Sequence, residues 1–177
     1  MLKPVLKQSR ALPWKVGNKV IPCSTPLVMG IVNVTPDSFF DGGKHNSPEA
    51  AYEHAVSLLQ QGADILDIGG ESSRPGSAPV SEQEEMDRVC PVVEALAQLA
   101  NISGDLENPG SREFYISVDT VKSRVARECM KLGAHIINDI SACAMDPEMA
   151  GVVASTGASV VLNHMRGTRS EERRVGK

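Results

Sequence analysis

Short apolar segments recur five times between Pro26 and Leu162, separated by turns and by stretches whose apolar residues have helical spacing. Segments that are apolar throughout are typical of strands buried on both faces, as in parallel sheets. Strands that alternate with helices along the chain favour a parallel sheet with helices packed on it. The sequence therefore predicts an α/β fold with strands at 27–34, 64–68, 114–118, 135–140 and 158–162.

The intervening helices carry recognisable start and stop signals. Four starts are predicted from cap residues or a first-turn proline, and three ends from glycine. Pro91 lies inside the second helix and predicts a kink or a fresh start there. The polar stretch 101–113 is predicted to be a surface loop. The starts are Ser47-Pro48, the capping box Ser81–Glu84, Asp119-Thr120 and Asp146-Pro147, and the ends are Gly62, Gly133 and Gly157.

Two architectures have strands that alternate with helices in this way, the doubly wound sheet and the (β/α)8 barrel, and the polar residues at the strand ends distinguish between them. A doubly wound sheet often has a glycine-rich phosphate loop after its first strand, and no G-x-G-x-x-G follows residues 27–34. Instead, each strand ends near a polar side chain, as at the mouth of a (β/α)8 TIM barrel. The sequence therefore predicts a barrel of that family. The polar residues are Asn33, Glu71 with Arg74, Asp119, Asn138 and His164.

A complete barrel of this kind needs eight strands and about 250 residues. The chain has 177 residues and five predicted strands, so we expect a C-terminally truncated barrel. The predicted organisation is an N-terminal extension (1–25), a partial barrel (26–167) and a basic tail (168–177). The tail has no apolar period and is interpreted as foreign sequence, with a solvated helix or charged tail as the alternative.

Composition excludes several classes of protein. Hydrophobic residues make up 41% of the chain, which is too many for a disordered protein. The net charge of -4 and the lack of a basic stripe argue against nucleic acid as the main partner. No apolar run is long enough for a membrane span, and the first ten residues do not resemble a signal peptide. These features, with four scattered cysteines read as free thiols, predict a cytoplasmic protein.

Five segments in order closely resemble dihydropteroate synthase: MGIVNVTPDSFFDGG (29–43), GGESSRPG (69–76), SVDT (117–120), HIINDI (135–140) and NHMRG (163–167). The resemblance implies an enzyme of folate biosynthesis that condenses p-aminobenzoate with (7,8-dihydropterin-6-yl)methyl diphosphate and releases diphosphate with the help of Mg²⁺. It also implies small-molecule substrates, a full-length family that is commonly homodimeric, and a sulfonamide target, and the composition adds the expectation of no nucleic-acid and no membrane partner.

By the same resemblance, Asp119 and Asn138 form the pterin-binding pair. A carboxylate that accepts hydrogen bonds and a carboxamide that donates and accepts them suit the polar edge of a pterin. Asp119 is also expected to stabilise positive charge that develops on the pterin methylene as diphosphate leaves. Taken alone, Asp119 could equally be a helix N-cap, and Asn138 could make a strand-end hydrogen bond.

The remaining site residues are also carried over from the family. Asn33 is expected to bind Mg²⁺, and Arg74 to hold diphosphate or the aminobenzoate carboxylate as a catalytic residue. Taken alone, Asn33 reads as a turn residue and 74–76 as a surface turn. The other substrate-binding residues are Ser73 at the diphosphate, Phe39 and Pro75 at p-aminobenzoate, and Met165 at the pterin.

Three alternatives remain open at this stage. Because the family's residues on its sixth to eighth strands have no counterpart here, we expect the chain alone to be an inactive fragment. It could instead be a non-catalytic pterin-binding chain. A third reading is a pterin-binding methyltransferase domain, which predicts methyltetrahydrofolate binding and which Phe39 and 73–75 argue against.

Overall fold

The computed structural model describes residues 12–17, 19–21, 23–35, 48–72, 78–103 and 113–163. Within these ranges the chain forms seven strands and four helices. The strands are β1 (Trp14–Val16), β2 (Lys19–Ile21), β3 (Met29–Asn33), β4 (Ile65–Gly69), β5 (Tyr115–Asp119), β6 (Ile136–Asp139) and β7 (Ser159–Leu162). The helices are α1 (Pro48–Gln60), α2 (Glu82–Ser103), α3 (Ser123–Leu132) and α4 (Met149–Thr156).

Strands β3 to β7 form one parallel sheet in the order in which they occur along the chain. The five predicted strands are confirmed, with bounds shifted by one or two residues. The third, for example, runs from Tyr115 to Asp119 instead of 114–118. Each connection between neighbouring parallel strands passes through a helix, as parallel pairing requires.

The helices pack on one face of this sheet, which we call the outer face. Val32, Ile68 and Val118 are in register on that face and are at most 1% exposed. They share a core cluster with Val89 of α2 and Val125 of α3. The apolar residues of the two faces are therefore buried in different ways. Those of the outer face pack against the helices, and those of the opposite face, which we call the inner face, pack against one another.

A β-hairpin formed by β1 and β2 packs at the amino-terminal end of the inner face. Val16 and Ile21 of the hairpin share a cluster with Ile65 and Ile136 of the sheet. The Ser159 hydroxyl donates to the Lys15 carbonyl, which ties the hairpin to β7. Sequence analysis treated residues 1–25 only as an extension and did not predict these strands.

The helix ends partly correct the sequence predictions. The Ser81 hydroxyl accepts a hydrogen bond from the Glu84 N–H at 3.2 Å, as the capping box predicts. Helix α3, however, begins at Ser123, where the Ser123 N–H donates to Asp146 Oδ2 at 2.7 Å. Asp119 is therefore not its N-cap. Helix α4 likewise begins at Met149, three residues after Asp146.

Helix α2 also differs from expectation. It continues through Pro91, so no fresh helix starts there. It also extends to Ser103 and so includes the first residues of the predicted 101–113 loop. The three glycines predicted to end helices do so with positive φ angles: Gly62 at 105°, Gly133 at 111° and Gly157 at 69°. None of the helices in the described ranges is long and apolar enough to span a bilayer.

Candidate functional site

Four residues stand side by side at the carboxyl ends of the first four strands of the sheet. Asn33 pairs with Gly69, Gly69 with Asp119, and Asp119 with Asn138. Residues in register on parallel strands point to the same side, and here they point to the inner face. We call Asn33, Gly69, Asp119 and Asn138 the polar row. The structure thus brings together the three described members of the predicted site.

Gly69 leaves an open gap in the middle of the polar row. A Cβ placed on Gly69 would lie 3.5 Å from Asp119 Oδ2 and 3.8 Å from Asn33 Oδ1. A side chain at position 69 that is larger than a methyl group would therefore fill the space between the Asp119 carboxylate and the Asn33 carboxamide oxygen. The gap therefore has one oxygen acceptor on each side, and its base is the backbone of Gly69, which has no side chain.

A buried aspartate lies below the polar row. Asp67 is two residues before Gly69 on β4 and is 5% exposed. Its Oδ2 accepts a hydrogen bond of 2.9 Å from Asn138 Nδ2, and Asn138 Oδ1 in turn accepts one of 3.1 Å from Asn163 Nδ2. Sequence reasoning missed Asp67, although a lone carboxylate within the apolar segment ILDIG was a usable signal.

Asp119 is the carboxylate of the polar row, and its pKa is strongly raised. Burial and the neighbouring carboxylates Asp67, Glu85, Asp139 and Glu71, in that order, raise its pKa to about 7. Both effects disfavour the charged form. Near neutral pH Asp119 therefore exchanges a proton readily, and a ligand with N–H donors or developing positive charge would favour the carboxylate.

Behind the polar row, Lys122 bridges two carboxylates. Its Nζ lies 2.5 Å from Glu71 Oε2 and also contacts Glu85 Oε2. Glu85 is only 1% exposed, so its charge depends on this partner. Burial by itself lowers the pKa of Lys122, but the bonds to both carboxylates raise it overall. Arg88 donates to the Gly70 carbonyl at 2.7 Å. These contacts fix the residues that follow β4, and sequence analysis did not identify Lys122 or Glu85.

Asp139 follows Asn138 but faces the outer side of the sheet. Its carboxylate accepts hydrogen bonds from the Ser141 N–H at 2.8 Å, the Ser141 hydroxyl at 2.7 Å and the Cys143 N–H at 2.8 Å. These bonds hold a turn in which Ala142 and Cys143 have positive φ angles of 54° and 63°. Asp139 therefore holds the turn that follows β6 and does not contribute a side chain to the polar row.

The other predicted site residues lie outside the described residues. They are Phe39, Ser73, Arg74, Pro75 and Met165.

The donor set of the polar row is suited to a hard cation. The described residues hold no group of three or more His, Cys, Asp or Glu side chains that could bind a metal. Asn33 Oδ1 and Asp119 nevertheless border the same gap, and oxygen atoms of this kind are the ligands that Mg²⁺ accepts while it keeps several waters. Asn33 Oδ1 and Asp119 are thus oxygen donors of the chemical type that a hard cation accepts.

Helices on one face of a parallel sheet, and polar side chains on the other at the carboxyl ends of successive strands, are the arrangement of a β/α-barrel, a fold that binds ligands at that end of its strands. The family model described as "Pterin binding enzyme" matches residues 29–176, and the chain belongs to this family. The match includes most of the basic tail, so the interpretation of 168–177 as foreign sequence stays a prediction.

The chain is similar to several dihydropteroate synthases. It is 52% identical to that of Escherichia coli K12 and 51% identical to that of Bacillus subtilis, each over 144 residues, covering 81% of this chain and 46% of the relative. A Yersinia pestis dihydropteroate synthase solved with a sulfonamide drug complex matches with a TM-score of 0.77 and 45% identity, over 92% of this chain and 55% of that one. A Xanthomonas albilineans dihydropteroate synthase with 4-aminobenzoic acid matches with a TM-score of 0.72 and 44% identity, over 84% and 50%.

These matches confirm the (β/α)8 barrel family as the fold class, of which the described residues form five parallel strands with their helices. They also show that the chain spans about half the length of the curated relatives it matches.

Proposed function

We propose that the protein acts as a dihydropteroate synthase, and that this chain carries the pterin-binding part of its site. The observation that carries the proposal is the register of Asp119 with Asn138 on the inner face. Together they offer a carboxylate and an anchored carboxamide to one flat edge, which is the pattern of acceptors and donors that a dihydropterin ring requires. The raised pKa of Asp119 suits this task, because a bound ring N–H stabilises the carboxylate that burial destabilises.

The reaction joins the amine nitrogen of p-aminobenzoate to the pterin methylene carbon. The C–O bond to diphosphate breaks, the leaving diphosphate takes the electron pair, and the attacking amine loses a proton to solvent water. Positive charge grows on the methylene before the new C–N bond is complete. A carboxylate fixed in a partly water-excluded site stabilises such charge better than mobile solvent does. Asp119 is the group that we assign to this role.

We also propose contacts for the diphosphate group, the metal ion and p-aminobenzoate. Asn33, which borders the gap in the polar row, would hold a magnesium ion, and the ion would neutralise charge on the diphosphate. From the family resemblance, Ser73 and Arg74 would bind diphosphate, Phe39 and Pro75 p-aminobenzoate, and Met165 the pterin ring. A sulfonamide would compete with p-aminobenzoate at the same place. We further propose a cytoplasmic location, consistent with the four free cysteines.

Titration of the 177-residue chain with (7,8-dihydropterin-6-yl)methyl diphosphate, with and without Mg²⁺, tests the proposal. We expect binding that Mg²⁺ strengthens and that Asp119→Asn and Asn138→Ala each weaken at least tenfold. Lys131→Ala, on the exposed side of α3, serves as the control. Heat released only on addition of methyltetrahydrofolate would favour the methyltransferase reading instead.

Catalysis is tested separately from binding. Because the chain spans about half of its relatives, we propose that it binds the pterin without turnover. Incubation with both substrates and chromatography for dihydropteroate should give no product above the uncatalysed level. Turnover by the chain would show that the described strands and their loops suffice for the reaction.

A further inference from the structure

The hydrogen bond between Asp67 and Asn138 crosses an entire strand. Asp67 belongs to β4 and Asn138 to β6, with β5 between them, yet the carboxylate oxygen and the amide nitrogen are 2.9 Å apart. Neighbouring strands are about 4.8 Å apart, so the two side chains must reach toward each other over the inner face of β5. The contact is therefore a specific bridge beneath the polar row.

The chemistry of the two groups sets the orientation of the amide. An ionised carboxylate can only accept hydrogen bonds, so the atom of Asn138 that faces Asp67 must be the NH₂ group. The carbonyl oxygen is consequently turned toward β7, where it accepts from Asn163 Nδ2 at 3.1 Å. Asn163 is exposed, whereas Asp67 is 5% exposed, so the fixed end of this chain of hydrogen bonds is the buried one.

We infer that Asp67 is a positioning residue, which fixes the donor and acceptor ends of the Asn138 amide and thereby the edge of the heterocycle that the polar row accepts. Without Asp67, the amide can rotate by half a turn and exchange its donor and acceptor at little cost. The inference rests on the proposed function for the identity of the ligand, but not for the orientation of the amide.

The surroundings of Asp67 support a positioning role. Within the described residues, Asp67 Oδ1 and the neighbouring Ser117 Oγ are buried and lack a hydrogen bond of ordinary geometry. Among the residues that the structure describes, no cation bonds to Asp67, and its one well-formed side-chain hydrogen bond goes to Asn138. Burial of a carboxylate costs free energy because the group loses its hydration, so a functional role for Asp67 would explain why the cost is tolerated.

Two substitutions at position 67 separate amide orientation from charge. Asp67→Leu keeps the branched shape but has no acceptor, whereas Asp67→Asn loses the charge and can still present an amide oxygen to Asn138 Nδ2. We expect Asp67→Leu to weaken pterin diphosphate binding by about 10- to 100-fold, the loss that removal of an outer positioning partner typically causes. Asp67→Asn should stay within about threefold of the parent chain, as should the control Ser117→Ala.

The coupling between the two residues gives a further readout. In an Asn138→Ala background, Asp67→Leu should cause no additional loss of binding, since the group that it positions is gone. Equal losses for Asp67→Leu and Asp67→Asn, or no loss for either, would overturn the inference.

A measurement without ligand keeps the inference independent of the proposed function. In ¹⁵N-labelled chain, the side-chain NH₂ group of Asn138, assigned through Asn138→Ala, should exchange its protons with water more slowly than the NH₂ group of an exposed asparagine, because it is hydrogen-bonded to a buried carboxylate. The exchange should become fast in Asp67→Leu and stay slow in Asp67→Asn, which also decides the matter if Asp67→Leu fails to fold. Slow exchange in Asp67→Leu, or fast exchange in Asp67→Asn, refutes the positioning role. Failure of the parent chain to bind the pterin would instead refute the proposed function alone.

Discussion

At the scale of single residues, Asp119 shows how a site is prepared at the expense of stability. The residue is surrounded by carboxylates and has no cation among the causes of its pKa shift. Burial and like charge together hold its pKa near 7, about three units above the ordinary value. Each unit corresponds to about 1.4 kcal/mol, so the ligand-free site is under electrostatic strain when Asp119 is charged.

The strain predicts a pH-dependent effect of Asp119→Asn. The folded chain holds the Asp119 proton up to about pH 7, whereas the unfolded chain loses it near pH 4, so stability falls as pH rises through that window. The variant has no such proton and should gain stability relative to the parent by about 2 kcal/mol at pH 8, with most of the gain absent at pH 4. We take about half of the full shift because solvent reaches this residue. Urea unfolding at the two pH values measures the difference, and an equal gain at both would contradict it.

Two adjacent glycines allow a matched comparison of function with packing. A Cβ on Gly69 would make ordinary contacts in the polar row, with Asp119 Oδ2 at 3.5 Å. A Cβ on Gly70 would lie 2.8 Å from Val89 and 3.0 Å from the Glu85 side chain. We expect Gly69→Ala to leave stability within about 1 kcal/mol while it weakens pterin binding, and Gly70→Ala to cost about 1–3 kcal/mol. Thermal unfolding and titration of both variants check this; the reverse ranking in stability would be incompatible with the packing.

At the scale of elements, the Lys122 bridge joins the residues after β4 to α2 and to the start of α3. Lys122 neutralises Glu85, which is 1% exposed, and contacts Glu71, two residues after the end of β4. Removal of one partner from a buried ion pair leaves an uncompensated charge, which costs far more than the pair contributes. The ion pairs of Lys122 therefore link the start of α3 to α2 and to the residues that follow β4, next to the polar row.

Lys122→Met should accordingly destabilise the chain by about 3–5 kcal/mol at neutral pH. Glu85→Gln in the same chain removes the orphaned charge and should restore a large part of the loss. Chemical denaturation of the parent, the single variants and the double variant forms a complete cycle. If the changes in unfolding free energy of the two single variants simply add up in the double variant, Lys122 does not stabilise the buried Glu85 carboxylate.

At the scale of the whole molecule, the amino-terminal hairpin belongs to the same folding unit as the sheet. Val16 is 1% exposed against Ile65 and Ile136, whereas Val20 on the other side of the hairpin is 64% exposed. An extension that merely precedes a domain would not bury a side chain in its core. The hairpin instead covers apolar residues of the inner face at the end away from the polar row.

Val16→Ala should therefore lower the free energy of unfolding by about 2 kcal/mol, because it leaves a cavity against two sheet strands. Val20→Ala is the control and should change stability by less than about 0.5 kcal/mol. Both are measured by urea denaturation followed by circular dichroism. Similar values for the two variants would mean that the hairpin does not contribute to the core.

The sequence by itself determined the sheet and the composition of the polar row. Period and capping signals are local, so five strands and the helices between them could be predicted to within a few residues. Asn33, Asp119 and Asn138 could be placed at one edge because parallel strands bring their carboxyl ends together, whereas their roles were expected from the family resemblance. The helix starts at Asp119 and Asp146 were predicted wrongly, since the residue that caps α3 comes from 23 positions further along the chain.

Only the tertiary structure decided what surrounds that row. Asp67 bonds to a residue 71 positions away, and Lys122 to carboxylates 37 and 51 positions away. Contacts of this kind depend on the order and curvature of the strands, and no local pattern encodes them. The raised pKa of Asp119 is likewise a sum over charges from several elements. It arises only when the chain folds and withdraws those charges from water.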